Sequence, residues 1–91
     1  MSEERLSEPL LRETLKFLRE RKGWSIPYLA AQMEVQPSLI YRLEAGQGFV
    51  RLDTFDRWCR AVGEPSSKVL KFIANCESLQ ENTFNTPPHS L

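Results

Sequence analysis

The stretch LAAQMEVQPSLIYRLEAG, residues 29–46, constrains the fold of this chain more than any other part of the sequence. Its apolar residues recur three and four positions apart in two short runs, a spacing that is typical of amphipathic helices. Only residues 34–36 separate the runs. Pro37 suits the first turn of a new helix, and Gly46 suits its end. The pattern therefore predicts two short helices that meet at a tight turn.

Three more helices are predicted from apolar stripes at helical spacing, over residues 8–22, 52–62 and 66–77. Ser7 and Ser66 suit the caps of the first and the last of these. No segment shows the alternation of a β-strand over a useful length. The fold class is therefore all-α with five helices. The predicted core consists of Leu11, Leu15, Leu18, Trp24, Leu29, Ala30, Met33, Ile40, Leu43, Leu52, Phe55, Trp58, Cys59 and Val62.

The chain length of 91 residues fits one domain, and an apolar fraction of 41% is enough for a modest core. Residues 1–7 are acidic and are expected to be flexible. Residues 8–77 hold all five predicted helices and form the domain. Residues 78–91 are polar, contain two prolines and lack periodicity, so we expect a mobile tail there.

Lysine and arginine together number 12, as do aspartate and glutamate, so the net charge is zero. A neutral total gives no global support for nucleic-acid binding. Between Arg12 and Arg60, however, basic residues outnumber acidic ones, and the acidic excess lies toward the termini. The distribution predicts a modest positive face within the domain.

Several functional classes are not expected. Cys59 and Cys76 belong to no CxxC pair and His89 lies in the tail, so neither a metal nor another cofactor is predicted. Two lone thiols fit a reducing cytoplasm. No apolar run reaches the roughly 20 residues that cross a bilayer, and no signal peptide is visible. Without a histidine, an activated nucleophile or a phosphate cradle in the domain, we expect neither an enzyme nor a small-molecule ligand.

The segments LRERKGWS, LAAQMEVQPSLIYRLEAG and LDTFDRWCRAVGEP, in this order, resemble the Cro and phage-repressor type of helix-turn-helix domain, the XRE family. The resemblance covers about 11–72. It implies a five-helix lambda-repressor-like domain that binds double-stranded DNA, and a buried or half-buried ion pair between Arg19 and Glu44. It rests on Arg19, Ser25, Leu29, Ala30, Val35, Ile40, Leu43, Glu44, Gly46, Leu52, Phe55, Val62 and Gly63.

The sequence departs from the family pattern in three places. Glu34 occupies the turn position where the family usually has glycine, and a side chain at positive φ costs on the order of 1 kcal/mol. Ile26 replaces a frequent glutamine after the cap of the second helix. The loop after the third helix, often basic in the family, has no basic residue before Arg51. The last two departures remove side chains that are suited to phosphate contacts.

In the family motif the third helix enters the major groove of DNA. With Ile40 and Leu43 facing the core, its remaining positions lie on or near the outer side. A glutamine amide suits adenine, and an arginine contacts either a base or the backbone. Ser25 with the free amides of the second helix suits one phosphate, and the loop suits another. The resemblance thus implies DNA contacts by Ser25, Gln36, Pro37, Ser38, Leu39, Tyr41, Arg42, Gln47 and Arg51.

Simpler interpretations of several residues stay open. Ser25 is a helix cap on any hypothesis, with or without a phosphate. Tyr41 is alternatively a surface aromatic residue, and Arg42 a solvated charge. Trp24 and Trp58 are interpreted as core residues rather than as aromatic walls of a ligand-binding site.

A single reading helix covers only a few base pairs, so we expect a homodimer on a twofold-symmetric site with half-sites about 34 Å apart. The symmetric surface is predicted on the fifth helix. Its predicted residues are Val69, Phe72, Ile73 and Cys76, with Leu79, Phe84, Leu10 and Phe17 as additions. The alternative is that this stripe seals the core of one chain.

The main hypothesis is therefore a sequence-specific DNA-binding transcription regulator, a repressor, in the cytoplasm of a bacterium or encoded by a phage or mobile element. The alternative is a protein-interaction module that uses the same fold and binds DNA weakly, such as an antitoxin or an anti-repressor partner. Neutral charge, Ile26, Phe49 and the loop without basic residues favour the alternative.

Overall fold

A computed structural model of the chain describes the backbone of residues 8–85 and the side chains of residues 8–76. Within these residues the chain forms five α-helices and no strand, which confirms the all-α prediction. Each helix agrees with its predicted bounds to within one residue, except at the end of the fifth. The helices are α1 Glu8–Arg21, α2 Ile26–Met33, α3 Pro37–Glu44, α4 Leu52–Ala61 and α5 Ser66–Asn85.

The core lies where one apolar stripe from each helix meets the others. Trp58 of α4 is its largest fully buried side chain, and Ile40 of α3 and Ile73 of α5 are completely inaccessible to solvent. Burying an aliphatic side chain of this size contributes about 1.5–3 kcal/mol. The core contains Leu11, Leu15, Leu18, Leu29, Ala30, Met33, Ile40, Leu43, Phe55, Trp58, Cys59, Val62, Val69 and Ile73.

Two predicted core residues are not fully buried: Leu52 lies at the surface, whereas Trp24 is partly buried and packs against the core. Leu52 is 75% exposed, because α4 begins at this residue and its first turn lies at the surface, on the rim of a groove that Phe55 and Leu70 also line. Trp24 is half-buried and packs edge-to-face against Tyr28, with ring centroids 4.9 Å apart.

Helix α5 continues to Asn85, whereas the sequence pattern predicts its end near Glu77. No glycine or proline interrupts the chain between Ser66 and Asn85, so nothing stops the helix there, and the first proline follows at position 87. The first eight residues of the predicted tail are therefore helical. The predicted flexible segment 1–7, and residues 86–91 of the tail, lie outside the described residues.

Arg19 and Glu44 join α1 to the end of α3. The guanidinium donates from Nε to Glu44 Oε2 at 2.7 Å and from Nη2 to Oε1 at 2.9 Å, a bidentate pair. Its Nη1 donates to the Trp24 carbonyl at 2.7 Å. Both side chains are nearly buried, and the hydrogen bond to Glu44 raises the pKa of Arg19 above its ordinary value. This pair fixes where α3 sits relative to α1.

Candidate nucleic-acid interface

The turn between α2 and α3 has the geometry of a Schellman cap. Glu34 adopts a left-handed conformation with φ 61°, its N–H donates to the Ala31 carbonyl at 3.2 Å, and the Val35 N–H donates to the Ala30 carbonyl at 3.0 Å. Only residues 34–36 separate the two helices, as the sequence pattern predicts. The turn therefore holds α3 at a fixed angle to α2, although a non-glycine residue occupies its strained position.

Helix α3 has two distinct faces. Ile40 and Leu43 are 0% and 3% exposed and anchor the inner face. Ser38, Tyr41 and Arg42 are exposed on the outer face. The helix is thus held in the bundle by its aliphatic side chains, while its polar side chains face solvent.

The first residues of α3 also leave polar groups available. Gln36 occupies the N-cap position, is exposed, and makes no side-chain capping hydrogen bond, so its amide has no hydrogen-bond partner among the described residues. Pro37 and Leu39 are half-buried, and Leu39 packs against the core. Pro37 and Leu39 therefore have less side chain left for a partner than the exposed Gln36, Ser38, Tyr41 and Arg42.

Ser25 caps α2 by accepting a hydrogen bond from the Tyr28 N–H at 3.1 Å, which agrees with its predicted cap role. Beside it the Lys22 ammonium lies 5.4 Å from the centre of the Trp24 ring, and Trp24 packs against Tyr28. Tyr28 is 49% exposed. Sequence reasoning missed this cluster at the start of α2, although the spacing of its two aromatic residues along the sequence was a visible signal.

The loop between α3 and α4 carries the other predicted phosphate contacts. Gln47 and Arg51 are exposed, and Arg51 lies 3.4 Å from Asp53 in an exposed ion pair. Such a pair contributes little and leaves the guanidinium available. Phe49 is 78% exposed. No group among the described residues accepts a hydrogen bond from the main-chain N–H groups of residues 48–50.

Arg12 of α1 holds this loop, and sequence reasoning assigned it no role. Its Nη1 donates to the carbonyls of Leu43 at 2.8 Å and Gln47 at 3.3 Å. Its Nη2 donates to the Gly48 carbonyl at 2.5 Å and to Glu8 Oε1 at 2.8 Å. The spacing of Glu8 and Arg12, four residues apart on one helix, was the only signal for this cluster in the sequence.

The structure divides the predicted dimer surface. Val69 and Ile73 are 5% and 0% exposed and belong to the core of the single chain, so they have no surface left for a partner. Phe72 is 55% exposed, and Cys76 is partly exposed. Across a shallow groove from Phe72 lies Phe17 of α1, which is also exposed. The surface that remains is the pair of phenylalanines with Cys76.

The described residues contain little that resembles a catalytic or metal centre. No three histidine, cysteine, aspartate or glutamate side chains among them approach closely enough to hold a metal ion. Burial raises the pKa of the Cys59 thiol to about 12, so it stays protonated and unreactive at neutral pH. Among the helices of residues 8–85, none has the length and apolar character to span a membrane.

Comparisons with known proteins agree with this geometry. A family described as a helix-turn-helix domain matches residues 10–69. Two crystal structures of the clp gene regulator ClgR from Corynebacterium glutamicum are similar. One is 28% identical, covers 76% of this chain and 90% of its own, and has a TM-score of 0.66. The other is 27% identical, with coverages of 86% and 83% and a TM-score of 0.70.

A third structure, of a hypothetical transcription factor NHTF from Neisseria, has the same fold. It is 23% identical, covers 77% of this chain and 79% of its own, and has a TM-score of 0.65. No curated protein sequence matches the chain.

Proposed function

The chain belongs to the helix-turn-helix domain family, and we propose that within it the protein is a DNA-binding transcription regulator of the XRE type. We propose further that it is a repressor that reads a twofold-symmetric operator as a homodimer. The related ClgR structures, at 27% and 28% identity, are those of a gene regulator, and their similarity extends over most of both chains.

The observation that carries this proposal is the division of α3 into two faces. Ile40 and Leu43 fill the core, so the polar side chains of the same helix project outward from a rigid support. A helix presented in this way fits the major groove, which is about 12 Å wide. Sites on a packed helix also hold their geometry better than sites on loops.

The outer side chains match the edges of bases. The free Gln36 amide offers a donor and an acceptor, which is the pattern that adenine pairs with. Ser38 donates to a base or a phosphate, and Arg42 suits guanine or the backbone. Tyr41 stacks or donates to a phosphate. Pro37 and Leu39 contribute apolar contacts, with the exposed edge of Leu39 suited to a thymine methyl group.

Phosphate contacts are proposed on both sides of α3. On one side, Ser25 and the N-terminal amides of α2 favour an anion, and Lys22 and Tyr28 stand next to them. On the other side, the loop offers Gln47, Arg51 and main-chain N–H groups that have no partner among the described residues. Main-chain donors compensate for the basic side chains that the loop lacks.

We propose that Phe72, Cys76 and Phe17 form the homodimer interface, since Val69 and Ile73 are buried in the core of the single chain. Phe17 and Phe72 lie on adjacent helices, and both line one groove. Lys68 and Glu64 also line this groove, where they pair with each other within one chain at 3.8 Å.

The test is selection of bound duplexes from random DNA, followed by a salt titration on the selected site. The proposal predicts sequence-dependent binding, with a log–log salt slope of about −0.9 per phosphate neutralised. The Tyr41→Ala, Arg42→Ala double variant serves as the matched control and should lose the sequence preference while it keeps its helical circular dichroism. Failure of the wild-type protein to bind any duplex at low salt would refute the proposal.

A protein-interaction module is the second candidate function. The exposed apolar side chains of Phe49 and Leu52, at 78% and 75%, favour it, since Phe49 lies within the loop that is often basic in the family and Leu52 directly follows that loop. An antitoxin or anti-repressor partner fits this class. Salt-insensitive binding to a protein, with no retention of selected DNA, supports this candidate against the first.

A further inference from the structure

The guanidinium of Arg12 lies where α1, the end of α3 and the following loop meet. It donates to three main-chain carbonyls, those of Leu43, Gln47 and Gly48. Its side chain is only 11% exposed. No other described arginine side chain contacts more than one main-chain carbonyl. Together with Val50, which packs against the core, and the Gln47 N–H that donates to the Arg42 carbonyl, this arrangement ties the loop to the body of the protein.

The chemistry of the three carbonyls explains why an arginine is needed. The Leu43 carbonyl belongs to the last turn of α3, where the helix dipole places partial negative charge. The Gln47 and Gly48 carbonyls add two more partial negative charges at the same point. A guanidinium supplies several donors in one rigid plane, whereas a lysine ammonium is a compact charge with no fixed fork.

Glu8 orients this fork from the same helix. Its Oε1 accepts from Arg12 Nε at 3.1 Å and from Nη2 at 2.8 Å, so one carboxylate oxygen fixes the plane of the guanidinium. The carboxylate is 36% exposed, while Arg12 is nearly buried. Glu8 therefore holds Arg12 from the solvent side while the carbonyls hold it from within.

This contact determines which main-chain groups the loop presents. The carbonyls of Gln47 and Gly48 are used by Arg12, whereas the N–H groups of residues 48–50 have no partner among the described residues. We propose that Arg12 is a positioning residue for DNA binding: it pre-organises the α3–α4 loop so that N–H groups, Gln47 and Arg51 face the phosphates. This inference rests on the proposed function for its DNA-binding consequence.

The test compares Arg12→Gln and Arg12→Lys with a matched control, Arg60→Gln. Arg60 also pairs with a carboxylate four residues away, Asp56 at 2.9 Å, but its side chain is 77% exposed and contacts no part of the loop. The Kd for the selected duplex should rise on the order of tenfold in Arg12→Gln, the scale of one charge-assisted hydrogen bond. Arg60→Gln should change it much less.

Arg12→Lys separates charge from geometry. If the fork positions the loop, the lysine variant resembles Arg12→Gln, and both weaken specific and non-specific duplexes by the same factor, because the base-reading side chains of α3 are untouched. Wild-type affinity in Arg12→Lys would overturn the proposal, since it would show that charge alone suffices. Glu8→Gln should weaken binding to both duplexes by a smaller factor. It replaces an Arg12 variant in this test if that variant fails to fold.

A second measurement needs no DNA. In ¹⁵N relaxation of the free protein, the amides of residues 46–51 should become more mobile in both Arg12 variants and stay unchanged in Arg60→Gln. Unchanged loop relaxation in folded Arg12→Gln contradicts the positioning role. A mobile loop in these variants, together with a wild-type protein that binds no duplex, would sink the proposed function and leave the loop-positioning role of Arg12 standing.

Discussion

Helices α3 and α5 both bury an apolar stripe on their inner faces but carry different side chains on their outer faces. Each buries a stripe to near-complete inaccessibility, with Ile40 in α3 and Ile73 in α5 both at 0% exposure. Outside, α3 presents an amide, a hydroxyl, a phenol and a guanidinium, whereas α5 presents Phe72 together with the exposed lysines Lys68 and Lys71. The inner faces decide how the chain folds. For the outer faces, we propose that α3 contacts DNA and that α5 contacts another protein surface.

The largest expected effect concerns the inner faces, where the two helices should behave alike. Ile40→Ala and Ile73→Ala should each lower the free energy of unfolding by about 2–5 kcal/mol, because each leaves a cavity in a packed core. Urea denaturation followed by circular dichroism measures this. Ser38→Ala, on the outer face of α3, is the control and should have little effect. A small loss in Ile73→Ala would show that α5 is not part of the cooperative core.

The next effect separates the outer faces. Tyr41→Ala with Arg42→Ala should remove most of the operator preference, since a lost contact of Arg42 with a base is worth about 1–3 kcal/mol and the stacking or phosphate contact of Tyr41 is lost with it. Gel-shift competition between the selected duplex and a scrambled one gives the preference. Stability should stay within about 0.5 kcal/mol of the wild type, because both side chains are exposed. A comparable loss of folding would mean that these side chains are structural.

The outer face of α5 gives the third prediction. Phe72→Glu should shift the protein from dimer to monomer in sedimentation velocity, because two such carboxylates repel across a twofold axis. Binding to a full operator should weaken, while weak binding to an isolated half-site stays unchanged. Phe49→Glu makes the same substitution in the α3–α4 loop, away from the proposed dimer surface. It is the comparison variant for oligomeric state. Dimerisation that survives Phe72→Glu would place the symmetric surface elsewhere.

The smallest effect lies in the turn that sets the angle of α3. Glu34→Gly should raise the free energy of unfolding by about 1 kcal/mol, because glycine adopts positive φ without a steric cost. Glu34→Gln removes the charge but keeps the side-chain volume and the backbone strain at positive φ. It should therefore not raise the free energy of unfolding. Thermal denaturation of the pair distinguishes backbone strain from electrostatics. Equal stabilities would contradict the strain interpretation.

The sequence was most informative where periodicity and helix punctuation act together. Pro37 and Gly46 mark the start and the end of α3 closely. The burial of Ile40 and Leu43 follows from their spacing of three residues. Periodicity alone was misleading at the edges. Leu52 is in register with the apolar stripe of α4, yet it is 75% exposed. The stripe identifies the apolar face of the helix but does not indicate whether another helix covers its first turn.

Long-range contacts explain the rest of what sequence reasoning missed. Arg12 contacts carbonyls 31 to 36 residues away, and main-chain carbonyls carry no signature in a sequence. Val69 and Ile73 belong to a stripe that serves equally well as a core or as a dimer surface, and only the tertiary arrangement assigns them to the core. The sequence pattern predicts the end of α5 near Glu77 because the residues after it are polar, but no glycine or proline lies between Ser66 and Asn85, and the helix continues to Asn85.

The most direct test of the central claim is an NMR titration of ¹⁵N-labelled protein with the selected duplex. We expect the largest shift changes on Gln36, Ser38, Tyr41 and Arg42, with further changes in the 46–51 loop and at the start of α2. The surface formed by Phe17 and Phe72 should keep its free-state shifts. Changes confined to that surface, with the outer face of α3 unaffected, would contradict the assignment of α3 as the DNA-reading helix.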